Sequence, residues 1–246
     1  MTIIDALLSS LNVEVPVHDV RIGKHWTAVA AMTPLGMRGG LASSVSALDR
    51  HTHGQPPVGD AGRLLEHHAA DLAGLIRSQS IAEASVGLAT INALLNVDEE
   101  ACVEVNAADI LVSQGAGKRV AVVGHFPFIR RVRRAAKTLW VLELRPRGDD
   151  LSASRAAETI PQADVVGITG STLVNHTFDD IVALCRPDAY VVVMGGSTPL
   201  SSLFFDFGVD AVAGTYVVDV EAVLRAVSQG ATFRQIPGKR LLTLFR

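Results

Sequence analysis

The chain has 246 residues, 48% of them hydrophobic, and a formal net charge of −3, enough length for one large or two modest domains with a substantial core. The acidic balance, with only two Trp and two Tyr, gives neither an electrostatic footprint nor a stacking platform for nucleic acid. No apolar run reaches the length of a membrane span, the start "MTIIDALLSSLN" lacks the marks of a secretory signal, and Cys102 and Cys185 lie far apart without CxxC spacing, so the expectation is a cytoplasmic protein with no membrane, disulfide framework or zinc ribbon.

Ile3–Leu11 reads as a short helix. "VHDVRIGKHWTAVAAM" alternates around Gly23-Lys24, as two strands joined by a hairpin turn would. A glycine-rich segment, "TPLGMRGGLASS", and a polar loop, "RHTHGQPPVGD", precede two helices, roughly Ala61–Arg77 and Ile81–Leu95. Strands followed by helices suggest a small α+β domain over residues 1–103, with the boundary near Val97–Val103. A helix at Asn106–Gln114 then opens a second domain, 104–246.

The second domain has the grammar of a doubly wound, Rossmann-like α/β fold. Strand-like runs at Val120–Val123, Leu139–Leu144, Asp164–Thr169, Ala189–Met194 and Asp210–Ala213 alternate with helical patterns at Phe128–Lys137, Ser154–Ile160, Thr177–Cys185, Leu200–Phe207 and Val220–Ser228. Short, continuously apolar strands of this kind belong to a parallel sheet covered on both faces. "RLLTLFR" at the end can add an edge strand.

In such a sheet, ligands bind at the carboxyl ends of the strands. "VAVVGHFPFIRRVRR" opens like the first strand of a dinucleotide fold, but His125, Phe126, Pro127 and Phe128 follow Gly124 where two more glycines would approach a pyrophosphate. Pro127 presets φ for the first helical turn, Phe126 and Phe128 fill the room a diphosphate needs, and His125 offers an acceptor or a proton. The basic run Arg130, Arg131, Arg133, Arg134 and Lys137 that follows reads as a solvated helix face over Ile129, Val132, Ala135 and Ala136. Glu143 stands where dinucleotide folds keep the acid that bonds a ribose; without the glycines it can equally pair with Arg145 or Arg147, and NAD is not expected.

The third strand end, "TGSTLVNHT", carries Thr169, Gly170, Thr172, Asn175, His176 and Thr177. It can present donors to an anion or a carboxylate, or Asn175 or Thr177 can simply cap the helix "FDDIVALC". "GGSTPL" repeats the pattern: Ser197 or Thr198 as N-cap, Pro199 at the first helical position, Gly195-Gly196 for close approach. Of the histidines, the pairs His51/His53 and His67/His68 read as solvated, the latter diverging on a helix. His125 and His176 are expected at the crevice, as proton carriers or metal ligands.

These segments bring a family into view. The chain resembles the DUF364 family, described as a "putative heavy-metal chelation domain", with its N-terminal companion DUF4213. The segments that carry the likeness are "VAVVGHFPFI", "VLELRPRGDD", "ADVVGITGSTLVNHTFDDIVAL", "YVVVMGGSTPLSSLFFDFGVDAVAG" and, in the first half, "SVGLATINALL". The resemblance implies an enolase N-terminal-like domain followed by a Rossmann-like one, with a site in the cleft between them. It places Asn92 in that cleft with Gly124, His125, Phe126, Pro127, Glu143, Thr169, Thr172, Asn175, Thr177, Ser197 and Thr198. The family's Gly-Pro-Ser-Thr-Pro stands here as Gly195-Gly196-Ser197-Thr198-Pro199, a change expected to loosen the loop.

The expected function is the binding or processing of a heavy-metal ion, a metal chelate or another small organic ligand in that cleft, with His125, Glu143 and His176 as candidate metal-binding or catalytic groups. Oxygen and nitrogen donors without thiolates suit a metal already held by an organic chelator. The alternative is a nucleotide- or S-adenosylmethionine-dependent transferase or lyase, with Glu143 on ribose hydroxyls and the later loops on the polar tail. A third is a metal-responsive binding module without turnover. At the level of the sequence all three stand, and a homodimer is compatible with the apolar composition.

Overall fold

The computed structural model describes residues 1–11, 14–44 and 56–246; the His51/His53 pair lies outside them. Helix α1 (Ile3–Ser9) begins at a reciprocal cap, in which the Thr2 hydroxyl accepts from the Asp5 N–H and the Asp5 carboxylate accepts from the Thr2 N–H. Strands β1 (Val17–Ile22), β2 (Trp26–Thr33) and β3 (Gly36–Ser43) form an antiparallel sheet in that order. The hairpin turns at Gly23-Lys24 as its alternation predicts.

Strand β3 is a correction to the reading of "TPLGMRGGLASS" as a mere glycine-rich segment. Its glycines serve packing. A Cβ at position 40 would stand 2.0 Å from the Ala89 carbonyl oxygen and 2.4 Å from the Ala93 nitrogen, so only glycine lets α3 (Ile81–Leu94) lie directly on the strand. That helix is buried almost all round, from Ala84 to Ile91 and again at Ala93 and Leu94, which explains its uniformly apolar sequence. The expected helix over Ala61–Arg77 is instead a short α2 (Ala69–Gly74) between 3-10 turns at Leu64–Glu66 and Leu75–Arg77. His67 and His68 therefore sit in extended backbone ahead of α2 rather than on a helix.

After α4 (Ala107–Gly115), the second half runs β4 (Arg119–Val123), α5 (Ile129–Ala135), β5 (Thr138–Glu143), β6 (Leu151–Ser152), α6 (Ala156–Thr159), β7 (Val165–Thr169), α7 (Phe178–Ala183), β8 (Tyr190–Met194), β9 (Ala211–Val217), α8 (Val220–Ser228) and β10 (Lys239–Phe245). The sheet order is β10-β9-β8-β7-β4-β5-β6. All neighbours are parallel except β10, the antiparallel edge strand that "RLLTLFR" foreshadows. The chain starts at β4, builds outward through β5 and β6, then returns to the other side of β4 for β7, β8 and β9. The topological switch point is therefore the β4–β7 boundary, where an open α/β sheet has its crevice. Among the described residues, no helix is long and apolar enough to cross a membrane.

The two sheets are distinct, but their packing is continuous. Val29, Ala31 and Ala42 face α3 and join a core that runs through Val166 and Ile168 to Phe178 and Phe204. The alternate residues Ala28, Ala30 and Leu41 pack on Val223, Leu224 and Val227 of α8. The three-stranded sheet is thus held between α3 and a helix from the other half of the chain.

Candidate functional site

A cleft of about 390 Å³ opens at the carboxyl ends of β4, β5 and β7, with α6, α7 and Ser43 at the end of β3 completing its walls. It is built from the turn after β4. Gly124 takes φ +99°, a conformation that favours glycine. The Glu143 carboxylate then fastens two strand ends together, accepting from the His125 N–H at 3.0 Å and from the Leu144 N–H at 2.8 Å. Neither Arg145 nor Arg147 pairs with it, contrary to the ion-pair alternative.

His125 is held by a residue the sequence did not reveal. Its Nδ1 lies 2.8 Å from Oδ2 of Asp150, whose side chain is only 2% exposed and which also accepts from the Arg147 N–H at 3.1 Å. A carboxylate only accepts, so the contact puts a proton on Nδ1 and fixes the direction of a half-exposed ring that lines the cleft. Asp150 is 25 positions from His125 in the chain. The available signal was its place in the loop that leaves β5, which borders β4, for the next strand of the sheet.

Phe126 stacks on Phe128 with ring centroids 5.0 Å apart. A Cβ at Gly124 would stand 3.4 Å from the Phe126 ring and one at Gly195 3.6 Å from it, so the ring reaches from the end of β4 past that of β7 to the glycine that follows β8. Pro127 is not the first helical residue: α5 starts at Ile129 with Phe128 at its N-cap, and Pro127 lies in a turn closed by the Ile129 N–H donating to the Phe126 carbonyl. It does not line the cleft. The arginines of α5 point outward, with Arg131 paired to Asp109 at 2.6 Å.

The loop after β7 divides its polar groups between scaffold and cleft. Thr169, Ser171, Thr172, Asn175 and Thr177 line the cleft. The Thr172 hydroxyl donates to the Thr169 carbonyl at 2.7 Å, while Asn175 Oδ1 accepts from the Thr177 N–H and hydroxyl at 3.3 and 2.7 Å. Asn175 thus braces the turn before α7, and Thr177, the N-cap residue, makes no side-chain cap bond. Among the described residues, the Asn175 NH2 group has no protein partner. His176 departs from its expected place. At φ +59° it turns away, and its Nε2 bonds the Ile76 carbonyl at 2.7 Å, tying the loop to the first half of the chain rather than facing the cleft.

Asn92, Gly170, Gly195, Ser197 and Thr198 do not line the cleft either. They form a seam between the halves. The Asn92 NH2 donates to the Leu41 and Ser197 carbonyls at 2.8 and 3.1 Å, and the Ser197 hydroxyl, 2% exposed as a residue, accepts from the Ser43 N–H at 2.8 Å. A Cβ at Gly170 would stand 2.5 Å from the buried Thr198 hydroxyl. Gly196 does not loosen its loop: a Cβ there would meet Trp26 and Phe233 at 2.6 Å, and those two rings lie 4.9 Å apart.

A bare heavy-metal ion does not fit these residues. Among the described residues, no three His, Cys, Asp or Glu side chains converge. Neither cysteine lines the cleft. Burial pushes the Cys185 thiol up to about 11, and burial together with Asp98 and Glu99 raises Cys102.

Comparison with known proteins agrees with this architecture. The DUF4213 family, "Putative heavy-metal chelation", matches residues 4–95, and the DUF364 family, with the same description, matches residues 106–245. An uncharacterised protein of Methanocaldococcus jannaschii is 27% identical over 157 residues, 60% of this chain and 60% of the relative, so the match spans less than two thirds of that protein. Two solved structures share the fold. A DUF364-family protein of unknown function from Desulfitobacterium hafniense has TM-score 0.83 and 24% identity, covering 99% of this chain and 97% of its own. Another from Pyrococcus horikoshii has TM-score 0.80 and 19% identity, covering 99% and 98%. The chain belongs to the DUF364 family, with a DUF4213 segment ahead of it.

Proposed function

We propose that the cleft at the β4–β7 switch point binds a small organic ligand that carries its own metal, a metal chelate, rather than a bare ion. The observation that carries this reading is the His125–Asp150 pair. Histidines that ligate metals characteristically donate the other ring N–H to a carboxylate, which fixes the tautomer and the ring's direction. One such imidazole can fill a single open coordination position, and the chelator must supply the rest. The unclaimed Asn175 NH2 and the Ser171 hydroxyl proton are then available to the organic part.

The nucleotide reading draws support from the strand order and from the position of Glu143 at the end of β5. Against it, the Phe126 ring covers the approach a pyrophosphate would use. Isothermal titration of the full chain against zinc salts, zinc chelates, adenine nucleotides, NAD(P) and S-adenosylmethionine separates the two. Binding of a chelate without NAD(P) binding at about millimolar concentration is the expected result. Tight nucleotide binding, or silence across the chelates, would overturn it.

A further inference from the structure

The walls of the cleft also bear on the charge of what enters it. Among the described residues, its charged lining groups are Glu143 and Asp180, and the Asp150 carboxylate stands buried behind His125. No lysine or arginine lines it. That is notable in a region rich in arginines: Arg131 is turned to Asp109, Arg133 stands 3.9 Å from Asp149, and Arg145 and Arg147, next along from Glu143, stay out of the lining. Ala153, Ala156, Ile181 and Leu184 form an apolar flank on the α6 and α7 side.

We infer that the cleft selects amphipathic ligands with a cationic, amine-bearing polar end and an apolar flank, and discriminates against carboxylate-rich or phosphorylated ones. An anion entering here would give up its hydration without meeting a cation, and would face carboxylates of its own sign. An ammonium group or a positively charged metal–amine complex meets Asp180 and Glu143, with hydroxyls able to accept its N–H groups. This rests on the preceding reading only for the ligand's location; selection by charge holds with or without a metal.

The test is calorimetric titration of the full chain with zinc complexes of three chelators: diethylenetriamine (dicationic complex), iminodiacetate (neutral) and nitrilotriacetate (anionic). A metal-free pair of like shape, phenethylamine and phenylacetate, runs in parallel. The cationic member of each series should bind about tenfold tighter than the anionic one. Asp180→Asn, an exposed position on α7, should shrink that preference about threefold, and added salt should do the same. Discrimination by the metal-free pair alone upholds charge selection while overturning the chelate reading. Equal binding of all three zinc complexes, or tighter binding of the anionic probes, overturns charge selection and leaves the chelate reading standing. Failure of every probe to bind overturns both.

Discussion

Asn92, Ser197 and Thr198 are the same kinds of residue as Asn175, Thr177 and Thr169, and both sets follow strand ends or sit where a family likeness expects a ligand. The fold uses them in opposite ways. At the seam, the Asn92 NH2 is spent on the Leu41 and Ser197 carbonyls and the Ser197 hydroxyl on the Ser43 N–H, while Asn92 Oδ1 and the Thr198 hydroxyl are buried without a partner among the described residues. At the cleft, Thr169, Asn175 and Thr177 are partly exposed, bond within their own turn, and leave the Asn175 NH2 without a protein partner among the described residues. Residue type does not separate a binding group from a brace. What separates them is whether unpaired backbone of a neighbouring segment lies within reach, since a buried carbonyl claims any nearby donor.

That contrast predicts which substitutions strike stability and which strike binding. The largest effect is expected at Gly40, where a Cβ would collide with the backbone of α3. Gly40→Ala should cost at least about 4 kcal/mol and lower the melting temperature by roughly 10 °C. A near-normal melting curve would show that α3 and β3 can separate freely. Asn92→Ala comes next: stranding the Leu41 and Ser197 carbonyls, offset by removal of the buried, unpartnered Oδ1, should cost about 1–3 kcal/mol, while affinity for a zinc chelate stays within about twofold of the parent. A sharp loss of affinity at unchanged melting would move Asn92 back into the binding site.

The cleft counterpart, Asn175→Ala, should reverse that pattern. Loss of its bracing bonds to Thr177 should cost about 1 kcal/mol in chemical denaturation, whereas affinity should fall about tenfold in titration. The smallest effect lies away from both regions. The Arg77 guanidinium, followed by Thr2, holds the Asp5 carboxyl down from 3.8 to about 2. A carboxyl lowered in the folded state stabilises the fold above its unfolded value and loses that contribution as pH falls toward the folded one. Melting temperature should therefore decline between about pH 4 and pH 2, and Arg77→Gln should flatten that part of the curve. Because the pair is exposed, the difference will be slight.

Much of the fold can be read from the sequence, for a definite reason. Strands β4, β7 and β8 are buried on both faces, and so appear as unbroken apolar runs. Strand β3 escapes such reading because contact with α3 demands glycine where strands normally carry bulk. Strand β6, with two residues, is too short to leave a pattern. Among the site residues, His125, Glu143, Asn175 and Thr177 stand at strand ends and loops where topology alone directs attention. Asp150 does not, because its pairing with His125 arises only when the loop after β5 folds back. His176 and Asn92 mislead for the same cause: each reaches a carbonyl that is remote in the chain, Ile76 for one and Leu41 and Ser197 for the other.

The central claim is that His125, oriented by Asp150, offers its Nε2 to a ligand in the cleft. The most direct test is a crystal structure of the full chain soaked with the zinc–diethylenetriamine complex, with anomalous data collected at the zinc edge. An anomalous peak about 2.0–2.1 Å from His125 Nε2 is predicted, absent from His125→Ala crystals grown from protein that melts like the parent. A peak at His176, at Cys102 or Cys185, or anywhere but His125, persisting in the His125→Ala protein, would contradict the account.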